Sequence, residues 1–226
     1  VKPSTIAIDG PAASGKSTIG YHLARFLNYL YLDTGILYRA VTWAAIQADL
    51  NIHNETAVTE LARQLTIEVT PATQDDGRQC TVIVDTHDIS LEVHSPAVDA
   101  AVSPVSTYPE VRHILTQRMR EIAARGQVVM VGRDIGTVVI PDAHLKLYVV
   151  ASAEERARRR YQELQHKNTT VSYETVLENI RQRDQIDSSR AAAPLKPAPD
   201  AVLLDTTALT MEEMFRHVEY LVSQDH

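Results

Sequence analysis

The stretch Gly10-Pro11-Ala12-Ala13-Ser14-Gly15-Lys16-Ser17-Thr18 fits G-x-x-x-x-G-K-[ST] and follows a short apolar run, Ile6-Ala7-Ile8. Behind it Ile19, Leu23, Phe26 and Leu27 recur at helical spacing, so strand, tight loop and amphipathic helix are expected in that order. The order matters chemically. Glycines let the backbone bend until several N–H groups face an anion, and the helix N-terminus adds partial positive charge. Lys16 is expected to reach the β- and γ-phosphates of a nucleotide. The Ser17 hydroxyl is expected to take one position on an octahedral Mg²⁺ that otherwise keeps water and phosphate oxygens.

The chain has 226 residues, 44% of them hydrophobic, enough for one compact unit with a small insertion. A net charge of -7 provides no global basic footprint for nucleic acid or an acidic membrane. Positive charge must therefore be gathered locally. The one cysteine, Cys80, cannot form an internal disulfide, and no apolar run reaches the ~18 residues of a membrane span. No charged-then-apolar segment precedes the first strand, so a cytoplasmic setting is expected. There is no H-E-x-x-H, no G-x-S-x-G and no N-K-x-D, which sets aside a zinc hydrolase, a serine hydrolase and a GTPase-like switch.

Along the chain, Tyr29 to Leu32 reads as a strand ending at Asp33-Thr34-Gly35, and Leu37, Ala40, Val41, Ala44 and Ala48 mark the inner face of the next helix. Tyr38 and Arg39 lie one turn from that strand end, where ligands collect in an open α/β sheet; position alone leaves a surface role for Arg39 equally open. A helix follows the N-cap Asn54. Thr66 to Thr70 and Cys80 to Val84 then alternate as an antiparallel patch, with Asp85 to Asp88 as a turn. Ser95-Pro96 opens another helix, and Pro104 and Pro109 break the chain before a longer one. Val128 to Val131 is a buried strand that stops at Gly132-Arg133-Asp134-Ile135-Gly136-Thr137. Those charges suit either ligand work or a charged turn.

Leu145 to Val150 is the next core strand, and Ser152 with Glu155 predicts a capping box. The helix it opens carries Arg156, Arg158, Arg159 and Arg160. Pairs of Glu154 with Arg158 and Glu155 with Arg159 would explain part of the cluster as a solvated face. An arginine clamp on a flap hinged at 165–172 is the other reading. Arg183, Asp187 and Arg190 share one face of the following helix. Ala201 to Leu204 is expected as the last core strand; Asp205 at its end is not placed in the metal site. Thr210 and Glu213 predict a final capping box.

Taken together, the loop, Asp33-Thr34-Gly35 with Tyr38-Arg39, Gly132 to Thr137, and Arg183-Asp184 through Asp187 to Arg190 resemble the bacterial-type cytidylate kinases, nucleoside monophosphate kinases of the P-loop class. The resemblance runs in order over essentially the whole chain. It implies a P-loop NTPase-like three-layer α/β/α fold with a five-stranded parallel sheet, a small β-rich monophosphate-binding insertion at about 66–108, a core of about 1–65 and 109–226, and a helical lid at about 153–172. By the same resemblance, the γ-phosphoryl group of MgATP would pass to CMP or dCMP. Gly10 to Thr18 would hold ATP with Arg156 and Arg160, and Lys16, Arg133, Arg183 and Arg159 would be catalytic. Arg39, Arg133 and Arg183 would clamp the acceptor phosphate, Ser103, Arg112 and Asp134 would read cytosine, Asp187 and Arg190 would hold the ribose, and Thr34 and Tyr38 would line the pocket. A monomer that binds neither nucleic acid nor membrane is expected. Val131 stands where many relatives place an acidic residue. Kinases of another small acceptor, and an ATP-dependent binding module, are the rival readings.

Overall fold

The computed structural model describes residues 2–166, 171–189 and 194–224. It begins with β1 (Thr5–Asp9), in which Ile6, Ala7 and Ile8 are wholly enclosed. The chain continues through α1 (Lys16–Leu27), β2 (Leu30–Asp33), α2 (Gly35–Gln47), α3 (Glu55–Gln64), β3 (Ile67–Pro71), β4 (Cys80–Val84) and β5 (His87–Asp88). After a 3-10 turn at Glu92–His94 come α4 (Pro96–Val105), α5 (Pro109–Ala124), β6 (Val128–Gly132), a π-helical turn at Ile135–Val139, β7 (Leu145–Val150), α6 (Ala153–His166), α7 (Tyr173–Ser189), β8 (Val202–Asp205) and α8 (Met211–Ser223).

A five-stranded parallel sheet has the order β2-β6-β1-β7-β8, in an α/β arrangement. Ile6 aligns with Leu145 and Asp9 with Tyr148 along the β1–β7 pair, and Leu147 with Val202 along β7–β8. Val128 to Val131 are fully buried, as a strand covered on both faces requires. By contrast β8 closes the order with Leu203 63% exposed. The expected last core strand is thus an edge strand, and it runs one residue later than its apolar residues indicate.

The chain divides into two compact units, Val1–Leu27 with Val129–His226, and Asn28–Val128. In the second, β3, β4 and β5 form a separate antiparallel sheet. His87 and Asp88 pair with Val84 and Ile83, so the segment expected as a turn adds a short third strand. Arg78 ties it down, donating to Asp76, Asp88 and Ser90. Asn54 caps α3, its Oδ1 accepting from the Ala57 N–H at 3.1 Å. Pro104 lies inside the last turn of α4 rather than breaking the chain before α5, and Ala48 is the exposed C-cap of α2 rather than part of its buried face.

Two helix-end expectations also change. Ser152 Oγ accepts from the Glu155 N–H at 3.1 Å, but Glu155 turns its carboxylate to Arg158 and Arg159, and the Ser152 N–H goes to Thr207 instead. Only half of the predicted capping box forms, because two guanidinium groups outcompete one amide for a carboxylate. Glu154 does not pair with Arg158; it reaches across to Arg181 of α7 at 3.0 Å. The box at Thr210 and Glu213 forms in full.

Candidate functional site

In the first unit, the loop begins where β1 ends. Gly10 has φ +154°, and a Cβ there would stand 2.1 Å from the Val149 carbonyl oxygen, so only glycine fits. α1 starts at Lys16, which places its N-terminal N–H groups at the loop. Lys16 Nζ donates to the Pro11 carbonyl at 2.9 Å, folding the side chain over the turn. From behind, two arginines of α6 and one threonine hold loop carbonyls. Arg156, 4% exposed, donates to Asp184 at 2.9 and 2.6 Å, to the Ala151 carbonyl at 2.9 Å and to that of Ala12 at 3.4 Å. Arg159 binds Glu155, Thr206 and the Ser14 carbonyl, and the buried Thr206 hydroxyl donates to Ser14 at 2.9 Å. The two guanidinium groups beside Glu155, that of Arg158 foremost, pull its carboxyl down to about 2.

In front of the loop lies a cavity of about 630 Å³, within the range of small-molecule sites. Lys16, Ser17, Thr18, Arg159, Arg160 and Arg183 line it, together with Glu163 and Asn179. Arg183 is exposed on α7, whereas Asp187, one turn on, is 1% exposed and accepts a short hydrogen bond from Arg133. The face expected to present both as equals is therefore split: Arg183 is at the cavity and Asp187 is buried with Arg133. Arg160 pairs with Glu163 at 2.7 Å. Arg190 and residues 167–170 of the expected hinge lie outside the described residues.

Next to Arg133, Asp134 is half-exposed at the entry to the π-helical turn. At the end of β1, Asp9 is 4% exposed and accepts from the N–H groups of Ile135 and Gly136, each at 2.8 Å. Burial pushes its carboxyl up to about 6, against those two hydrogen bonds; the Asp134 charge adds to the rise and Lys16 opposes it. Val131 is fully enclosed. Asp205 bonds the N–H and hydroxyl of Thr207, capping its own turn.

The second unit carries the other expected residues. Thr34 is buried at the N-cap of α2, and the Gly35 N–H donates to Asp33 at 3.1 Å. Tyr38 has the Arg112 guanidinium 5.7 Å from its ring centroid, a cation–π contact, and Arg112 also donates to the Ser106 carbonyl at 3.3 Å. Arg39 donates to the Val93 carbonyl at 3.0 Å and to Asp99 at 2.5 Å. Ser103 is exposed on α4. His94 is held below the usual histidine range by burial and then by the Arg39 charge. Cys80 is buried and pushed up to about 11, which leaves it an inert thiol at neutral pH.

Asp9, Asp99, Asn179 and Thr206 are positioned with these groups and went unflagged by motif or spacing. For Asp9 a faint signal exists, a lone charge closing an otherwise apolar strand. Asp99 and Thr206 have none, because their partners Arg39 and Ser14 lie far away in the chain, and Asn179 is marked only by its place on the cavity wall.

A family model described as cytidylate kinase matches residues 6–224. A cytidylate kinase from Caldanaerobacter subterraneus subsp. tengcongensis is 47% identical over 213 residues, covering 94% of this chain and 92% of its own. One from Bacillus licheniformis is 41% identical over 223 residues, covering 99% and 97%. Among solved structures, an uncharacterized protein from Eubacterium ventriosum superposes with a TM-score of 0.51 at 12% identity, covering 99% of this chain and 100% of that one, a likeness of fold alone.

Proposed function

The chain belongs to the cytidylate kinase family, and on that premise we propose that it transfers the γ-phosphoryl group of ATP to CMP or dCMP, giving ADP and the diphosphate. The observation that carries the reading at this chain's own residues is the loop of Gly10 to Thr18, shaped for an anion and opening on a cavity lined by Lys16, Arg159, Arg160 and Arg183.

The nucleophile is an oxygen of the acceptor monophosphate, ionised near neutral pH, so no general base is needed and catalysis rests on positioning and charge neutralisation. We assign the donor phosphates to the loop amides and Lys16. Arg183 is assigned to the transferring group, and Arg159 joins it once its guanidinium leaves Thr206 and the Ser14 carbonyl, with Arg160 at the cavity rim. Arg156, buried against Asp184, keeps the loop carbonyl of Ala12 in place and so supports the donor site from behind. Arg39 and Arg133 join Arg183 in neutralising the acceptor phosphate. Thr34 and Tyr38 line the acceptor pocket, and Ser103, Arg112 and Asp134 read the base. A carboxylate at 134 accepts from the cytosine amino group, whereas uracil would oppose it with a carbonyl oxygen. Asp187, and Arg190 with it, is assigned to the ribose.

Among the described residues no cluster of three or more His, Cys, Asp or Glu could hold a metal ion. The donor set here is one hydroxyl, Ser17, at the helix start. That fits Mg²⁺ carried chiefly by phosphate oxygens and water, as a small hard cation that keeps much of its hydration shell. When bound, the ion neutralises charge on the donor phosphates. No helix among the described residues is long and apolar enough to cross a membrane.

The test is ADP release with MgATP against CMP, dCMP, UMP, AMP and shikimate, with Lys16→Ala as control. Fast turnover on CMP and dCMP, slow turnover on UMP and its loss in the control are expected. Equal turnover on UMP would overturn the assignment of Asp134; no turnover on any acceptor would overturn the kinase reading itself.

A further inference from the structure

Asp9 is the one residue of β1 with a charge, and it is buried where β1 meets the loop. An enclosed carboxylate is costly unless its oxygens are satisfied, and here each oxygen has a separate backbone partner. Oδ1 accepts from the Ile135 N–H and Oδ2 from the Gly136 N–H, both at 2.8 Å. These are the two amides that follow Asp134. They open a wide turn in which the Asp134 carbonyl accepts from both Val138 and Val139, so the turn leaves those first amides without an internal partner. The approach is close: a Cβ on Gly136 would stand 3.4 Å from Asp9 Oδ2 and 3.2 Å from Lys146 Cδ.

We propose that Asp9 is a positioning residue for acceptor choice: by gripping the amides of Ile135 and Gly136 it fixes the backbone from which Asp134 presents its carboxylate to the base. The inference rests on the reading of Asp134 given above. It links the strand that launches the phosphate loop to the segment that selects the acceptor. A change at position 9 should thus alter which acceptor is used before it alters whether nucleotide binds.

Asp9→Asn keeps the shape, but its amide nitrogen faces one of the two N–H groups and cannot accept from it. The kcat/KM ratio for CMP over UMP should fall by about tenfold, the equivalent of one lost hydrogen bond to a charged group. The dissociation constant for MgADP, read by fluorescence or calorimetry, should stay within about threefold. Asp9→Ser is the second variant; its one hydroxyl oxygen replaces two carboxylate oxygens and can accept from at most one of the two amides, and the same loss of selectivity is expected, so the proposal stays testable if Asp9→Asn folds poorly. Unchanged selectivity in these variants, or MgADP affinity falling in step with selectivity, overturns the proposal, the latter by making Asp9 a loop residue. Asp134→Ala in parallel separates the two readings. If wild type prefers CMP and Asp134→Ala loses the preference while Asp9→Asn keeps it, only the inference fails; if Asp134→Ala keeps it, the reading beneath it fails.

Discussion

Titrating Asp9 should change the stability of the fold in a direction opposite to that of an ordinary paired carboxylate. The side chain is 4% exposed, and burial lifts its pKa from 3.8 to about 6 despite two backbone hydrogen bonds and the nearby Lys16. Between those values the folded chain holds a proton that the unfolded chain has released, so stability falls as pH rises through the window. The contribution is fully present below pH 3.8 and lost above about 6. Each pH unit across that window is worth about 1.4 kcal/mol, so the whole rise amounts to about 3 kcal/mol. Asparagine at this position carries no such proton. The stability of wild type minus that of Asp9→Asn should therefore drop by about 2.4 kcal/mol between about pH 4 and about pH 7.5, since part of the rise lies below pH 4. Urea denaturation followed by circular dichroism at half-unit steps measures it, and the difference cancels groups that titrate alike in both chains. The charged and titratable neighbours are Lys16 of α1, Asp134, and Tyr148 and Lys146 of β7. A difference that is flat with pH, or that grows as pH rises, would refute the argument that burial dominates the two N–H bonds. The same titration should show in selectivity. Below about pH 6 a protonated Asp9 can no longer accept fully from both amides, and the CMP over UMP ratio should fall, while the titration of the acceptor phosphates cancels in the ratio.

Gly10→Ala would force a Cβ to 2.1 Å from a backbone oxygen, so loss of MgADP binding and a fall in melting temperature are both expected; a variant that binds normally would mean the loop is not built as described. Arg156→Met removes a buried guanidinium from Asp184 and from two carbonyls, which should cost about 3 kcal/mol in chemical denaturation and weaken nucleotide binding; full stability would show the pair to be dispensable. Asp99→Asn loosens Arg39 at an exposed pair, so stability should change by less than about 1 kcal/mol while KM for CMP shifts with kcat nearly constant in steady-state assays. An unchanged KM would separate Arg39 from the acceptor.

The strand–loop–helix at Gly10 to Thr18 was legible because both periodicities and the glycine spacing are local. The same holds for the β3–β4 pair, whose β-branched residues alternate, and for the caps at Asn54 and Thr210. What escaped depended on competition or on distance. Glu155 is a fair capping residue on paper, and only the nearness of Arg158 and Arg159 diverts it. Asp187 shares a helix face with Arg183, but a strand-end arginine, Arg133, captures it into a buried pair. The turn at Ile135–Val139 has no sequence period of its own, being wound by i→i+5 bonds, and Asp9 is explained only by amides 126 and 127 positions away.

The order in which the chain is synthesised bears on the discontinuous unit. Residues of Asn28–Val128 are contiguous, so this unit is complete in sequence soon after it leaves the ribosome. β1 is made first, yet its two neighbours in the sheet, β6 and β7, begin only at Val128 and Leu145; at roughly 5–20 residues per second that strand waits on the order of 10 s for them. Assembly during translation therefore runs against chain order, the interior finished early and the phosphate loop anchored late. Limited proteolysis of released chains that end at Gln127, before β6, should find the interior unit protected and the segment around Ile6 to Ile8 open, and a protected Ile6 at that length would contradict this order.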